Sequence, residues 1–306
     1  MRIAVPTETK QDELRVALTA DGAHHLVRAG HEVLVQSGAG VGSSVTDADY
    51  VAAGARVVPD AEQVWAEAEL VVKVKEPQPS EHRFLRSDLT LFTYLPLAAD
   101  RACTQALLDA GTTSFAYETV RLADGSLPLL APMSEVAGRL ATQVGAYHLT
   151  SPAGGAGLLM GGVPGTRPAK VVVLGGGTAG RNAAQVALGM RADVTVLDLQ
   201  APVLASIDRE HRGTVRTVTS TAAALDREVA GADLVVGAVL VPGARAPGWS
   251  RTSSCPACAR ARCSWTSPST RAAASRAREP RRTATPPTGC TAASSTPSPT
   301  CLERSR

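Results

Sequence analysis

The sequence predicts an α/β protein built on two parallel sheets, and three features point to it. Short apolar runs recur through residues 1–247, amphipathic stretches separate them, and a chain of 306 residues is longer than one compact core usually serves. The runs are RIAV (2–5), EVLVQ (32–36), LVVKV (70–74), TLF (90–92), VVVL (171–174), VTVL (194–197) and DLVV (233–236). Most are rich in Val and Leu, with little polar alternation, as in strands covered on both faces. Parallel strands need long crossovers, and the amphipathic stretches between the runs read as helical segments. No internal repeat is present.

A junction is predicted in the segment GSLPLLAP, Gly125–Pro132, ahead of a helix. Ser134 is read as its N-cap with Glu135 in the first turn, and Val136, Leu140, Val144 and Tyr147 follow at near-helical spacing. The glycine-rich run SPAGGAGLLMGGVPG (151–165) is read as a loop. The expected division is 1–132, 133–247 and a separate 248–306.

The sharpest motif is VVVLGGGTAGRNAAQVALGM. A strand runs into Gly175, Gly176, Gly177, Thr178, Ala179 and Gly180, a helix follows, and Asp198 ends the next strand. Glycines there allow a tight turn and bring backbone amides close to a pyrophosphate at the helix N-terminus, while the acid can hold the ribose hydroxyls. A carboxylate at Asp198 would repel a 2′-phosphate, so NAD is expected rather than NADP.

Charge separates the last part of the chain from the rest. Residues 248–306 hold ten arginines, no lysine and two acids, a net +8, which subtracted from the whole-chain +3 leaves −5 for residues 1–247. Five of the six cysteines lie in this tail, and Leu302 is its one large aliphatic residue. It is expected to be disordered, with no strands or core of its own. With 44% hydrophobic residues over the whole chain, the part before the tail can bury a real core. No apolar run reaches the ~20 residues a membrane span needs. The opening MRIAVPTETK has no signal-peptide pattern, so a cytoplasmic location is expected.

Lys10, Arg15, Lys73 and Lys75 fall near predicted strand ends. Such cations suit an acidic small molecule, but charge alone favours solvated surface groups.

Those residues sit in longer signatures. PTETK followed by E-x-R-V-A-L-T, then KVKEP, AYETV, LLAPMSEVAGRLATQVGAYHL and GAVLVPGA flank the glycine motif, and together they resemble the alanine dehydrogenase family, which also holds the NAD-binding domain of proton-translocating transhydrogenase. The resemblance covers Met1 to about Pro247. It implies two Rossmann-like domains, the first for substrate and catalysis and the second, truncated here, for NAD. It also implies NAD-dependent interconversion of L-alanine with pyruvate and ammonium, usually in a homohexamer. By position, Arg15 and Lys75 would bind substrate, lifting them above the surface reading that Lys10 and Lys73 keep. Ser134, Gly175, Gly177, Thr178, Ala179, Gly180, Asp198, Ser220, Val239 and Leu240 would line the NAD site.

Two departures stand against full activity. The family's catalytic histidine belongs where LFTYLPLAAD places Pro96, which can neither give nor take a proton. The six histidines, at 24, 25, 31, 82, 148 and 211, show no ligand spacing. Transhydrogenase domains transfer hydride between nucleotides and need no such histidine, so they stand as the alternative, beside a nucleotide-binding remnant without turnover.

The second departure is the tail. Read one base earlier, with permissible third bases, Cys263–Ala273 becomes Val-Leu-Val-Asp-Val-Ala-Ile-Asp-Gln-Gly-Gly, and Thr296–Arg306 becomes Tyr-Ala-Val-Ala-Asn-Met-Pro-Gly-Ala-Val-Pro. Both follow the family pattern. Residues from about Gly248 are therefore expected to be an out-of-frame translation, with Thr270 at the position of the family's aspartate. This expectation also removes two other readings of the tail. Cys255, Cys258 and Cys263 lack a convincing fourth zinc ligand, so no metal is expected. The arginines lack interleaved aromatics, so no nucleic-acid partner is expected.

Overall fold

The structure is a computed structural model that describes residues 1–239 and 264–266. Six strands form the first sheet: β1 (Arg2–Val5), β2 (Glu32–Gln36), β3 (Arg56–Val58), β4 (Leu70–Val72), β5 (Thr90–Thr93) and β6 (Thr113–Ala116). Their order is β3-β2-β1-β4-β5-β6, and every neighbouring pair is parallel. The second sheet holds β7 (Lys170–Leu174), β8 (Asp193–Asp198), β9 (Arg216–Thr219), β10 (Leu234–Gly237) and β11 (Ser264–Thr266). It runs β11-β10-β7-β8-β9 and is parallel throughout. The α/β class with two parallel sheets is thus the observed architecture.

Both orders reverse direction once. In the first sheet the chain leaves β1 for β2 and β3, then returns to place β4 on the other side of β1; in the second it leaves β7 for β8 and β9, then places β10 across β7. At such a reversal the two loops leaving the carboxyl ends diverge and open a crevice where ligands bind. The segments after β1 and β4, and after β7 and β10, are therefore where function is sought.

Helices fill most of the crossovers, α1 (Ala20–Arg28), α2 (Asp47–Ala52), α3 (Ala61–Glu67), α4 (Arg101–Ala110), α6 (Thr178–Gly189), α7 (Ala201–His211) and α8 (Ala222–Ala230), with only a 3-10 turn at His82–Phe84 between β4 and β5, and α5 (Ala131–His148) links the two sheets. Side chains cap several N-termini. Thr46 and Asp49 form a reciprocal capping box, and Asp60, Asp100 and Thr221 each accept an N–H three residues on. One core lies under the first sheet around Leu34, Trp65, Val71 and Leu91, and another packs on the second around Val171, Val173, Val196 and Leu234.

Three expectations are corrected. Helix α5 starts at Ala131, not after Ser134, because a proline in the first turn supplies a fixed helical φ and lacks an N–H that would in any case go unpaired there. Ser134 instead lies inside the helix and donates its own N–H to Leu130 O at 3.0 Å. Second, LVVKV is a strand only as far as Val72, and β3, β6 and β9 escaped sequence reading because they lie toward or at sheet edges with few buried positions. Third, the tail does contribute a strand: Ser264–Thr266 pairs with Val235–Gly237. Backbone groups alone satisfy that ladder, so the absence of apolar side chains does not forbid it. The rest of the tail expected to be disordered lies outside the described residues.

Helix α5 packs closely against α6. A Cβ on Gly138 would lie 2.1 Å from Ala179 O, so only glycine permits this approach of α5 to α6. Thr142 Oγ1 adds a buried hydrogen bond to Ala183 O at 2.9 Å. This close packing brings the first turn of α5 beside the glycine loop.

Candidate active site

At the reversal of the second sheet lies a cleft of about 590 Å³. It is lined by Ser134, Gly175, Gly177, Thr178, Ala179, Asp198, Ser220 and Val239 among others, so eight of the ten expected nucleotide residues converge on one space. Gly180 lies just behind it, and Leu240 is outside the described residues. A volume of this order falls in the ~300–1,000 Å³ range of small-molecule sites.

The glycines have separate duties. Gly175 turns the chain at φ +99°, a conformation that resists a side chain. A Cβ on Gly180 would sit 1.8 Å from Gly175 O, so this position is needed for α6 to press against β7. Gly177 has nothing within 4 Å of where a Cβ would be, which leaves the N-terminus of α6 open for a phosphate to approach its amides. Asp198 accepts from Gly176 N at 2.7 Å and Gln200 N at 2.8 Å, so the acid holds the glycine loop as well as facing the cleft. Ser220 N donates to Asp198 O at 2.9 Å, fixing the next strand end to the same place. These residues fit a dinucleotide: a phosphate-sized opening at a helix N-terminus and a carboxylate at the following strand end.

At the reversal of the first sheet, the segments after β1 and β4 bring Arg15 and Lys75 into one charged group. Glu13 accepts from Arg15 Nε at 2.7 Å and from Nη2 at 2.6 Å. Hydrogen bonding to Glu13 raises the Arg15 pKa; burial disfavours the Glu13 carboxylate, but the Arg15 hydrogen bonds more than offset it and hold it below the usual range. Burial lowers the Lys75 pKa, with the positive charges of Lys10 and Arg15 adding to the effect. Its ammonium is therefore destabilised until an anion arrives.

Lys73 is not the surface cation expected. It is fully buried, with its ammonium 3.2 Å from Glu8 and 2.9 Å from Glu81. The chain cannot leave such a charge unpaired, and the sequence shows only its position, not its partners. Lys10 is about 38% exposed and pairs with Glu76, close to the surface reading.

Sequence reasoning also missed Glu8, Glu13, Thr93, Tyr94, Glu118 and Met133. Glu118 accepts the Leu95 N–H on both carboxylate oxygens, at 3.0 and 3.1 Å, steadying the segment that leads to Pro96. Pro96 is exposed, and its carbonyl accepts the N–H groups of Ala99 and Asp100. Glu8, Glu13 and Glu118 fall inside the PTETK, E-x-R and AYETV runs, which was the only available signal.

Arg15 Nη1 lies 3.0 Å from Met133 Sδ on α5, one residue before Ser134 of the nucleotide cleft. The cationic group and the cleft are therefore adjacent.

The sequence pattern described as "Alanine dehydrogenase/PNT, N-terminal domain" matches residues 4–137, and the one described as "Alanine dehydrogenase/PNT, C-terminal domain" matches residues 141–251. The chain belongs to the alanine dehydrogenase/PNT family. Within this family, the alanine dehydrogenase of Mycobacterium tuberculosis strain H37Rv is 62% identical over 247 residues, which are 81% of this chain and 67% of that protein. The alanine dehydrogenase of Halomonas elongata is 55% identical over the same share of each. Among solved structures of the family, an L-alanine dehydrogenase superposes with a TM-score of 0.74 at 49% identity, covering 81% of this chain and 68% of that one. A transhydrogenase from Sinorhizobium meliloti superposes with a TM-score of 0.65 at 26% identity, covering 81% and 73%. The matched segment thus spans about two thirds of the length of the alanine dehydrogenases.

Proposed function

We propose that this chain has the site of an NAD-dependent alanine dehydrogenase, which interconverts L-alanine, water and NAD⁺ with pyruvate, ammonium, NADH and a proton. The observation that carries this reading is the contact of Arg15 with Met133, next to Ser134, because it sets a carboxylate-binding cation beside a cleft suited to NAD. NAD, when bound, accepts hydride from the substrate α-carbon. Arg15 offers a carboxylate its remaining N–H groups, and Lys75 offers a point charge to the carbonyl oxygen. Together they would hold the α-carbon toward the cleft in a fixed orientation, which is a large part of catalysis. Ser134, Gly175, Gly177, Thr178, Ala179, Gly180, Asp198, Ser220, Val239 and Leu240 would hold the nucleotide, in the division 1–132 for substrate and 133–247 for NAD.

Pro96 favours reduced turnover, since no acid or base stands at that position. It is also the observation that keeps a transhydrogenase-type or binding-only role as a second reading, although identity is 26% there against 49% for the dehydrogenase structure. We infer that the chain from about Gly248 is read out of frame. The family patterns stop matching at residue 251, and Ser264–Thr266 pairs beside β10, where the shifted Leu-Val-Asp would lie. Thr270 is outside the described residues. Among those described, no helix is long and apolar enough to cross a membrane. A cytoplasmic location and no nucleic-acid partner complete the reading, and the homohexamer belongs to the family resemblance alone.

Purified chain is expected to change NADH fluorescence on binding and to yield little or no alanine-dependent NADH. Rapid turnover would overturn the impairment, and absent binding would overturn the nucleotide reading. Resequencing the coding DNA from codon 240 to the stop, together with codon 96, decides between the two frames.

A further inference from the structure

Lys75 follows β4 in a segment without regular structure, yet both sides of its peptide are held. Its N–H donates to Glu8 Oε2 at 3.3 Å, and the preceding Val74 N–H donates to Glu8 Oε1 at 2.6 Å. Its carbonyl accepts from Thr93 Oγ1 at 2.9 Å. Thr93 is fully buried and the Glu8 side chain is only 3% exposed, so water does not compete for these bonds.

Behind Glu8 stands the buried ammonium of Lys73, which also meets Glu81, and Glu81 accepts the Gln78 N–H at 2.8 Å. Burial raises the Glu8 pKa, and the charge and hydrogen bond of Lys73 work against that rise. Only an ionised carboxylate keeps both oxygens free to accept from two amides and an ammonium. Lys73 therefore serves Glu8, and Glu8 serves the peptide that carries Lys75.

We propose that Glu8, backed by Lys73 and Glu81, is a positioning residue for Lys75, acting through the backbone and touching no substrate. This rests on the reading of Lys75 as a substrate ligand. A lysine on a loose turn would lose orientation each time it bound an anion, and fixing its peptide beforehand removes that cost.

The test uses the full chain with Glu8→Gln, which leaves Lys73 and Glu81 as a neutral buried pair, and, if that variant does not fold, Glu8→Gln combined with Lys73→Met and Glu81→Gln, which removes all three buried charges. Hydrogen exchange at the Val74 and Lys75 amides is expected to rise at least tenfold. Pyruvate affinity by calorimetry is expected to fall about tenfold, with NADH affinity held within about twofold. Thr93→Val, which frees the Lys75 carbonyl without changing charge, should weaken pyruvate by several-fold. Unchanged exchange, or faster exchange with unchanged pyruvate affinity, would overturn the proposal. If the unmodified chain binds no pyruvate, the substrate reading of Lys75 fails, and the positioning role falls with it.

Discussion

Glu13 grips Arg15 from two residues away, with Nε and Nη2 donating to its two carboxylate oxygens at 2.7 and 2.6 Å. The Glu13 side chain is 8% exposed while Arg15 is 40% exposed, so the anchor is buried and the cation faces outward. One edge of the guanidinium is thus used to fix its plane, and Nη1, which gives one N–H to Met133 Sδ, keeps its other N–H for a carboxylate.

Glu13→Gln replaces a two-pronged anionic acceptor with one that presents a single oxygen. Pyruvate affinity is expected to drop about 5- to 30-fold, the loss of one charge-assisted hydrogen bond of roughly 1–2 kcal/mol. Calorimetric titration of pyruvate, set against an unchanged NADH titration, measures it. Equal affinity in the two proteins would show that Arg15 is oriented without Glu13.

The glycine turn should be the most sensitive backbone position in the cleft. Gly180→Ala places a methyl group 1.8 Å from Gly175 O, and both atoms belong to packed elements that cannot step aside. A loss of at least ~2 kcal/mol in stability and of NADH binding is expected. Thermal melting and NADH fluorescence read the two effects, and a chain with unchanged values for both would contradict the tight helix-to-strand packing.

Asp198 has a dual role that a substitution can separate. Asp198→Asn keeps one oxygen for Gly176 N or Gln200 N but removes the charge proposed to hold the ribose. NADH is expected to bind roughly tenfold more weakly, while discrimination against NADPH narrows, since a 2′-phosphate no longer meets a carboxylate. Paired fluorescence titrations with the two nucleotides check this, and an unaltered preference would place the ribose elsewhere.

Pyruvate binding should weaken at alkaline pH earlier than an ordinary lysine would dictate. Burial, with Lys10 and Arg15 adding, lowers the Lys75 pKa below the ordinary lysine value, so the charge is present below the lowered pKa and lost as pH rises through it. Bound pyruvate favours the charged form, and affinity therefore declines across that window. Titrations in steps from neutral to alkaline pH follow the decline; Lys75→Arg, charged throughout, should flatten it. A flat profile in the unmodified chain would remove Lys75 from the binding step.

The sequence by itself determined the class, the central strands and the nucleotide loop. Val and Leu runs such as 171–174 and 194–197 can be stable only when covered on both faces, and Gly175, Gly177 and Gly180 at their spacing admit few other conformations. It also marked Pro96 and the change of composition near Gly248, because both are visible one residue at a time. Tertiary structure alone decided the partners of charge. Lys73 and Lys75 are two residues apart in one run and look alike in sequence, yet one is sealed between Glu8 and Glu81 while the other stands beside Lys10 and Arg15. The edge strands β3, β6 and β9, and the pairing of Ser264–Thr266 with β10, were likewise set by neighbours. Local patterns encode which faces must be buried; which carboxylate meets which cation depends on loops from strands up to about seventy residues apart, and only the folded chain brings those together.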